Sequence, residues 1–537
     1  MTYTSDEREL LEKIVTNVDS AVYFFTGDQP AELVGAAMAR VSRAQADPRG
    51  IWLNEFSADG LSRTEDLIQR VVSDYGDDSV QQLVPVQFVT SRISNLMTKH
   101  VEWPRIGMAY LEQSTRYIFF DQRDADGNWQ YYVPTNLPAE VQMRYRRELD
   151  AIFEAYSEIV HPMYDYFMEA KADQRGDTPE GAWKSTIRAQ ACDAVRAMLP
   201  VATRSTVAFT GNAQSLENLI MHLRSFELAE AQWLADTLTH EARKLPYLAP
   251  FITRVDRPDR GLATSAYRRE VRQSLSQVTQ AALRTSDRVM DSLNARNRDS
   301  QYRAQKYVRL IDHEPRDERE LLAWIMFPYA SGYSLDELKR RASMMDHDAP
   351  EIFAAAIGER LNRRHKPGRA FERAHFWWEI VDEYASYRDL QRHRMVDAWD
   401  WQPLTTLYGY EVPEVLAEAG EAVVSRYVEA FDRSEAYYER LITDGFEAEA
   451  QYVTLLGHRM RYSFGTNLRE LYHMLELRTQ PAGHPGYRAI CGEMYRLLSE
   501  VYPSLAAGMR FVNTKGESEE LTRLAAERAN AMKRGEL

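Results

Sequence analysis

At 537 residues the chain is long enough for two to four domains with buried cores, which excludes a single small module. Hydrophobic residues at 44%, charged residues at 27% and aromatic residues at 11% exclude a disordered chain. A formal net charge of -14 argues against nonspecific nucleic-acid binding, which needs an electropositive footprint, and leaves small anions to local Arg clusters.

The first residues, MTYTSDERELLEKI, carry acids where an export signal needs a positive start, and no run of about eighteen apolar residues occurs, so a cytoplasmic protein without a membrane segment is expected. Thr4 with Glu7 and Ser62 with Glu65 have capping-box spacing, and Leu67, Ile68, Val71, Val72 and Tyr75 form an apolar helical face that stops at Gly76. Val80 to Val89 reads as a strand and Ser91 to Trp103 as a helix, while Asp126, Gly127 and Asn128 give a hairpin signal. Cys192 and Cys491 each stand alone among helix formers, which offers neither a disulfide framework nor a metal spacing. Arg268 to Arg309 holds ten Lys or Arg against four Asp or Glu, the pattern of a solvated helical connector making intramolecular ion pairs. His375 to Ile380 reads as a strand, Asp382 to Arg394 as a helix, and the tail from Thr514 as charged and peripheral.

Two stretches share a pattern: TGNAQSLENLIMHLR at 210–224 and GTNLRELYHMLELR at 465–478, each an Asn opening a helix that ends in Leu-Arg. Asn212 and Asn467 are 255 residues apart, far beyond a solenoid period, so the spacing indicates a duplicated domain. The same strand, helix and motif order occurs in both halves. The chain is therefore read as an α+β protein of two tandem domains, each a small mixed or antiparallel sheet with abundant helices. The expected limits are 1–255 for the front copy, 256–316 for a helical connector, 317–513 for the rear copy and 514–537 for the tail.

Further motifs are divided between the copies. The front stretch PRIGMAYLEQSTRY at 104–117 contains Glu112, Gln113, Ser114, Thr115, Arg116 and Tyr117, and AVRAMLP places Arg196 sixteen residues before Asn212. The rear stretch LQRHRMVDAWDWQPLTTLYGY at 390–410 contains Arg392, His393 and Arg394 but has Gln402 and Pro403 farther on, and Gln451 stands sixteen before Asn467. The rear copy also has Asn467, Arg469, His473, Leu477, Arg478, His484 and Tyr487, preceded by His365, Pro367 and Glu372. In the front copy Gln214 and Glu230 stand where Arg469 and His484 have their counterparts, and the upstream loop is GDDSVQQ.

Together these stretches resemble the flavin-dependent thymidylate synthases, whose R-H-R, seven residues, then S-x-R-Y pattern has here come apart between the two copies. The resemblance implies a nucleotide wall from Glu112, Gln113, Ser114, Arg116, Tyr117, Arg196 and Arg224. It implies a flavin wall from His365, Glu372, Arg392, His393, Arg394, Asn467, Arg469, His473, Leu477, Arg478 and His484. It further implies FAD as cofactor, NADPH and methylenetetrahydrofolate as co-substrates, reductive methylation of dUMP to dTMP, and a homodimer acting as a pseudo-tetramer of four repeats. Ser114 would bind substrate, and no residue is assigned as a nucleophile.

Two other readings stand beside this one: a flavoenzyme of the same fold acting on another pyrimidine or nucleotide-like anion, and a non-catalytic duplicated scaffold or regulatory protein. Locally, Arg116 has an ordinary partner in Glu112 four residues earlier on a helix, and Arg392, His393 and Arg394 suit a helix C-terminus. Bidentate Arg contacts are the strongest way to hold a phosphate, and an electron-rich reduced flavin edge favours cations. Single histidines on helices such as His473 and His484 are more often packed or solvent-facing than ligands. G-x-G-x-x-G is absent, which is neutral because the family resembled binds FAD without it, and no H-E-x-x-H or Cys/His set suggests a metal. The geometric expectation is that cations of the front copy face those of the rear copy across one shared cavity.

Overall fold

A computed structural model of the chain describes residues 3–26, 47–55, 79–292 and 305–514, with positions 34, 35, 37, 38, 524, 528 and 532. The Ser62 and Glu65 spacing and the apolar face from Leu67 to Gly76 lie outside the described residues. The elements used below are α1 (Ser5–Glu12), β1 (Pro85–Ser94), α2 (Asn95–Val101), β2 (Met108–Glu112), α3 (Ala139–Ala170), α4 (Glu180–Val195), β3 (Arg204–Asn212), α5 (Ala213–Arg224), α6 (Gly261–Ser292), β4 (Tyr307–Glu314), β5 (His375–Glu383), α7 (Tyr384–Leu390), β6 (Val396–Trp401), α8 (Glu421–Thr443), β7 (Arg459–Asn467), α9 (Leu468–Arg478) and α10 (Pro485–Val501). The fold is α+β, with helices dominant over two small antiparallel sheets. Among the described residues no helix is long and apolar enough to cross a membrane.

The chain divides into two compact units. The first comprises Met1–Gln113, Pro134–Leu137 and Arg204–Asn294, and the second comprises Ser114–Val133, Pro138–Thr203 and Ala295–Leu537. Much of the sequence-defined front copy, from Ser114 through Thr203, therefore packs with the rear copy. The reason is covalent duplication: surfaces that two separate copies would bury against each other are buried here within one chain.

In the first unit, α1 opens with the expected capping box: the Thr4 hydroxyl accepts from the Glu7 amide, and the Thr4 amide donates to the Glu7 carboxylate at 2.7 Å. The sheet is ordered β1–β3–β2, all antiparallel. The strand expected at Val80–Val89 begins at Pro85, because Ser79–Gln82 forms a helical turn, and runs on to Ser94 through a bulge between Thr90 and Ile93. Ser94 then caps α2, and its amide and hydroxyl both donate to the Glu230 carboxylate, at 2.7 and 2.6 Å. Asn212 caps α5 as expected, accepting from the Ser215 amide. The basic segment is only partly described. Its helix α6 uses cations less for ion pairs than as helix-end donors: Arg269 donates to the Arg224 carbonyl, and Arg272 donates to the Ser225 carbonyl at 2.7 Å. These bonds satisfy carbonyls that the end of α5 leaves without helical partners.

In the second unit the sheet is ordered β4–β5–β7–β6, again antiparallel. Tyr307–Glu314, placed in the expected helical connector, is an edge strand because it registers against β5 from Val381 to His375. The Asp126-Gly127-Asn128 signal forms a turn, with Gly127 at φ 79 and its amide donating to the Asp124 carbonyl, but it joins no pair of named strands. Helix α3 packs on α8, where the Tyr437 hydroxyl donates to the Val141 carbonyl and Arg433 pairs with Glu148 at 3.1 Å.

Short extended segments of the two copies also pair. The Val201 amide donates to Thr454 at 2.7 Å, and the Leu456 amide donates to Leu199 at 2.9 Å, on either side of an antiparallel bridge between Pro200 and Leu455. With the copies offset by 255 residues, Leu199 corresponds to Thr454 and Val201 to Leu456, so each bond is the symmetry counterpart of the other. This is the self-complementary contact of a twofold interface, made within one chain.

A buried Arg360–Glu476 pair ties the loop before β5 to α9. Arg360 donates to both carboxylate oxygens at 2.6 and 2.5 Å, and also to the carbonyls of His365 and Gly508. Breaking a buried pair leaves an uncompensated charge, so Glu476→Ala is expected to destabilise the protein by about 3–5 kcal/mol in denaturant unfolding. A change under about 1 kcal/mol would show that the pair is not closed in solution.

Candidate functional site

Four cations and two carboxylates gather in the second unit, drawn from both copies. Arg116 lies in the loop after β2, Asp193 in the last turn of α4, and Arg196 in the 3-10 turn that follows it. Asp389 lies in the last turn of α7, Arg392 just beyond it, and Arg478 ends α9. Arg116 is not on a helix and does not pair with Glu112. Its Nε and Nη2 donate to the two Asp193 oxygens at 2.8 and 2.6 Å, a bidentate and largely buried pair. Its amide donates to the Ser114 hydroxyl at 3.1 Å. Tyr117 is partly exposed, with the Arg116 guanidinium 6.0 Å from its ring centroid.

Arg196 is 3% exposed, yet its Nε and Nη2 have no hydrogen-bond partner among the described residues. The nearest carboxylate, Asp389, stands 3.7 Å away and also lies 3.9 Å from Arg392, so it joins the charges of the two copies without a close bond to either. Burial raises the pKa of both carboxyls, but the surrounding guanidiniums outweigh it and hold Asp193 and Asp389 below the usual carboxylate range. His484 caps α10 and accepts from the Gly486 amide at 3.1 Å. Burial and the charge of Arg196 push it down to about 3, so it is neutral.

A second network adjoins through Arg478, whose Nε donates to His393 Nε2 at 3.0 Å. His393 Nε2 is then an acceptor, so its proton sits on Nδ1 and is shared with Glu470, 2.7 Å away. Lys366 Nζ lies 3.1 Å from His473 Nδ1, and the His393 and His473 rings are 5.4 Å apart. Burial pushes Glu470 up to about 7 and His473 down to about 4. Ligand atoms of His393, Glu470 and His473 lie within 4.8 Å of one another. A metal-bound imidazole normally donates its outer N–H to an acceptor, whereas here the outer nitrogens face Arg478 and Lys366. The group is therefore held as a hydrogen-bonded network with cationic donors on its outer nitrogens.

The other expected residues fall as follows. Asn467 caps α9 by accepting from the Glu470 amide at 2.9 Å, and Leu477 is partly buried on that helix. Arg469 donates to the Pro367 carbonyl at 3.0 Å and pairs with Glu372 at 3.4 Å, while His365 is exposed. Helix α7 is shorter than expected, so Arg392, His393 and Arg394 lie beyond its end, and Arg394 is exposed. Glu112, Gln113 and Arg224 belong to the first unit. Glu112 accepts from the buried Lys99 at 3.1 Å, the Gln113 amide donates to Thr206, and Arg224 donates to the Val255 carbonyl and Asp256 at 3.0 and 2.7 Å. A cavity of about 700 Å³ along α10 is lined by Thr479, Arg488, Tyr495, Arg496 and Asn513 among others, and none of the expected site residues lines it.

Sequence reading missed Asp193, Asp389, Lys366 and Glu470. The first two carry a usable signal, each standing three residues before an expected Arg. The rear counterpart of Arg196 is also informative. Gln451 occupies the Arg196 position, and its Oε1 accepts from the Leu404 amide at 3.1 Å. That side is closed by the chain's own atoms.

Fold and site define an internally duplicated α+β protein whose copies pool their cations around one half-buried pair of carboxylates. The chain belongs to the thymidylate synthase complementing protein family, which matches residues 26–246 and 309–504. It is 30% identical over 528 residues to a UPF0159 protein of Chlamydia muridarum (strain MoPn / Nigg), covering 95% of this chain and 96% of that one. It is 30% identical over 527 residues to a UPF0159 protein of Thermoplasma acidophilum, covering 93% and 99%. Among solved structures it is similar to the UMP/dUMP methylase PolB from Streptomyces cacaoi bound with 5-Br dUMP, at 17% identity and a TM-score of 0.31 over 38% of this chain and 94% of that one.

The raised Glu470 has a measurable consequence. Its ordinary value is 4.5 and its folded value about 7, so its favourable contribution is complete below about pH 4.5 and lost as pH rises through 7. Glu470→Gln keeps a neutral partner for His393 and removes this loss. Relative to the parent, the variant is expected to gain about 2–3 kcal/mol between pH 4.5 and 7.5 in denaturant unfolding. His473 acts in the opposite sense over much of that window, and because the Glu470 charge raises its pKa, the variant is expected to hold His473 lower still. An unchanged difference across the window would show that Glu470 is not protonated in the fold.

Proposed function

We propose that the chain is a flavin-dependent, thymidylate-synthase-like enzyme that converts dUMP to dTMP with methylenetetrahydrofolate and NADPH. Family membership supports the reading, and the observation that carries it is Arg196: a buried guanidinium with unsatisfied donors, among cations from both copies. A nucleotide monophosphate brings close to two negative charges and several acceptor oxygens, which is what such a group lacks.

The donor set also fits a flavin. Arg392, His393, Arg394, Arg469, His473 and Arg478, with Lys366, supply cations and imidazoles for a diphosphate and an electron-rich ring edge. Bound there, FAD would carry hydride from NADPH toward the acceptor. The chain's own share is orientation: Asp193 fixes Arg116, Arg478 and Glu470 fix the tautomer of His393, and burial keeps His484 and His473 neutral. With Gln451 closed onto Leu404, each chain offers one nucleotide subsite of this kind, and a homodimer of four repeats offers two.

Purified protein, reconstituted with FAD if necessary, is expected to absorb near about 450 nm and to release tritium from C5-labelled dUMP. Arg196→Gln is expected to weaken dUMP binding about 100-fold while leaving the flavin band in place. A protein that takes up no FAD would overturn the reading. Flavin uptake without tritium release would favour a flavoenzyme acting on a different nucleotide-like anion.

A further inference from the structure

The two half-buried carboxylates treat their arginines differently. Asp193 occupies the Nε and Nη2 edge of Arg116 with two short hydrogen bonds, which leaves the Nη1 edge of that guanidinium aimed by the pair. Asp389 does not do this to Arg196. It approaches to 3.7 Å, beyond hydrogen-bond reach, and stands at 3.9 Å from Arg392. Arg196 keeps unsatisfied donors inside the fold, a costly arrangement unless a ligand supplies acceptors. The closed pairs elsewhere set the contrast. Arg360 is saturated by Glu476 and two carbonyls, and the rear counterpart of Arg196, Gln451, accepts from Leu404.

Resting on the nucleotide reading above, we infer that Asp193 and Asp389 are positioning residues of opposite effect for a phosphate monoester: Asp193 orients Arg116 toward it, whereas Asp389 balances Arg196 without occupying its donors and so opposes the incoming anion. The preference for a dianionic phosphate comes from the arginines, and Asp389 reduces it, because its repulsion grows with the charge of the ligand. Neither residue touches the reacting atoms.

The test is titration calorimetry on the full chain with inorganic phosphate and with dUMP, using the parent, Asp193→Asn and Asp389→Asn. Loss of the oriented pair is expected to weaken both ligands about tenfold in Asp193→Asn. Removal of the opposing charge is expected to tighten both about three- to tenfold in Asp389→Asn. A merely structural role predicts weakening by both, and changes of the same sign overturn the inference. Where an Asn variant does not fold, the Glu variant is measured. Asp193→Glu should recover most of the parent's affinity, and Asp389→Glu, long enough to bond Arg196 directly, should weaken phosphate; the reverse order overturns the inference. Phosphate bound as tightly as dUMP, with the opposite signs kept, supports the inference and removes the nucleotide reading. A parent chain that binds neither ligand overturns both.

Discussion

The contact on which the rest of the second unit depends is the backbone pairing of residues 199–201 with 454–456 about the Pro200–Leu455 bridge. Backbone hydrogen bonds in a buried segment must be made, and here each copy satisfies the other's. The bonds are reciprocal, so Arg196 and its counterpart Gln451 fall at symmetry-related places, and α3 and α8 lie against each other. In a dimer of identical chains, both sides of such an axis carry the same residues. Joining the copies in one chain removes that restriction, and the two sides have taken different roles.

Electrostatics explains how the difference is tolerated. Buried charges persist when they are compensated, as with Arg360 on Glu476 and Lys99 between Glu102 and Glu112. Arg196 differs from these two, as a buried guanidinium whose carboxylate neighbour stays out of bonding range. On the rear side the same position carries an uncharged amide closed onto the backbone. One side is thus built for stability, and the other keeps bonding capacity open.

The histidines follow the same logic. His393, His473 and His484 are each pushed toward the neutral form, by burial above all. They add hydrogen-bonding direction without adding charge, which leaves the arginines as the cations of the site. The arrangement of His393 between Arg478 and Glu470 settles which ring nitrogen holds the proton, a choice that no motif spacing contains.

What could be read from the residues alone was local. The caps at Thr4, Asn212 and Asn467, the strand near His375 and the long-range repeat of Asn-to-Arg motifs each depend on neighbours a few residues apart or on self-similarity. Partner choice was not legible. Arg116 had Glu112 four residues away as a local partner but takes Asp193, 77 residues farther along, because chain tracing carries Glu112 into a sheet where Lys99 claims it. Arg224 and Arg478 end the same motif, yet one is consumed by the Val255 carbonyl and Asp256 while the other meets His393. The amino-acid sequence by itself determined a duplicated α+β chain with its cationic motifs split between copies; tertiary structure alone decided which cations are neutralised and which are left open. The physical reason is range: propensity and capping act over a turn of helix, whereas ion pairs and register are settled by whichever groups the folded chain brings within a few ångströms.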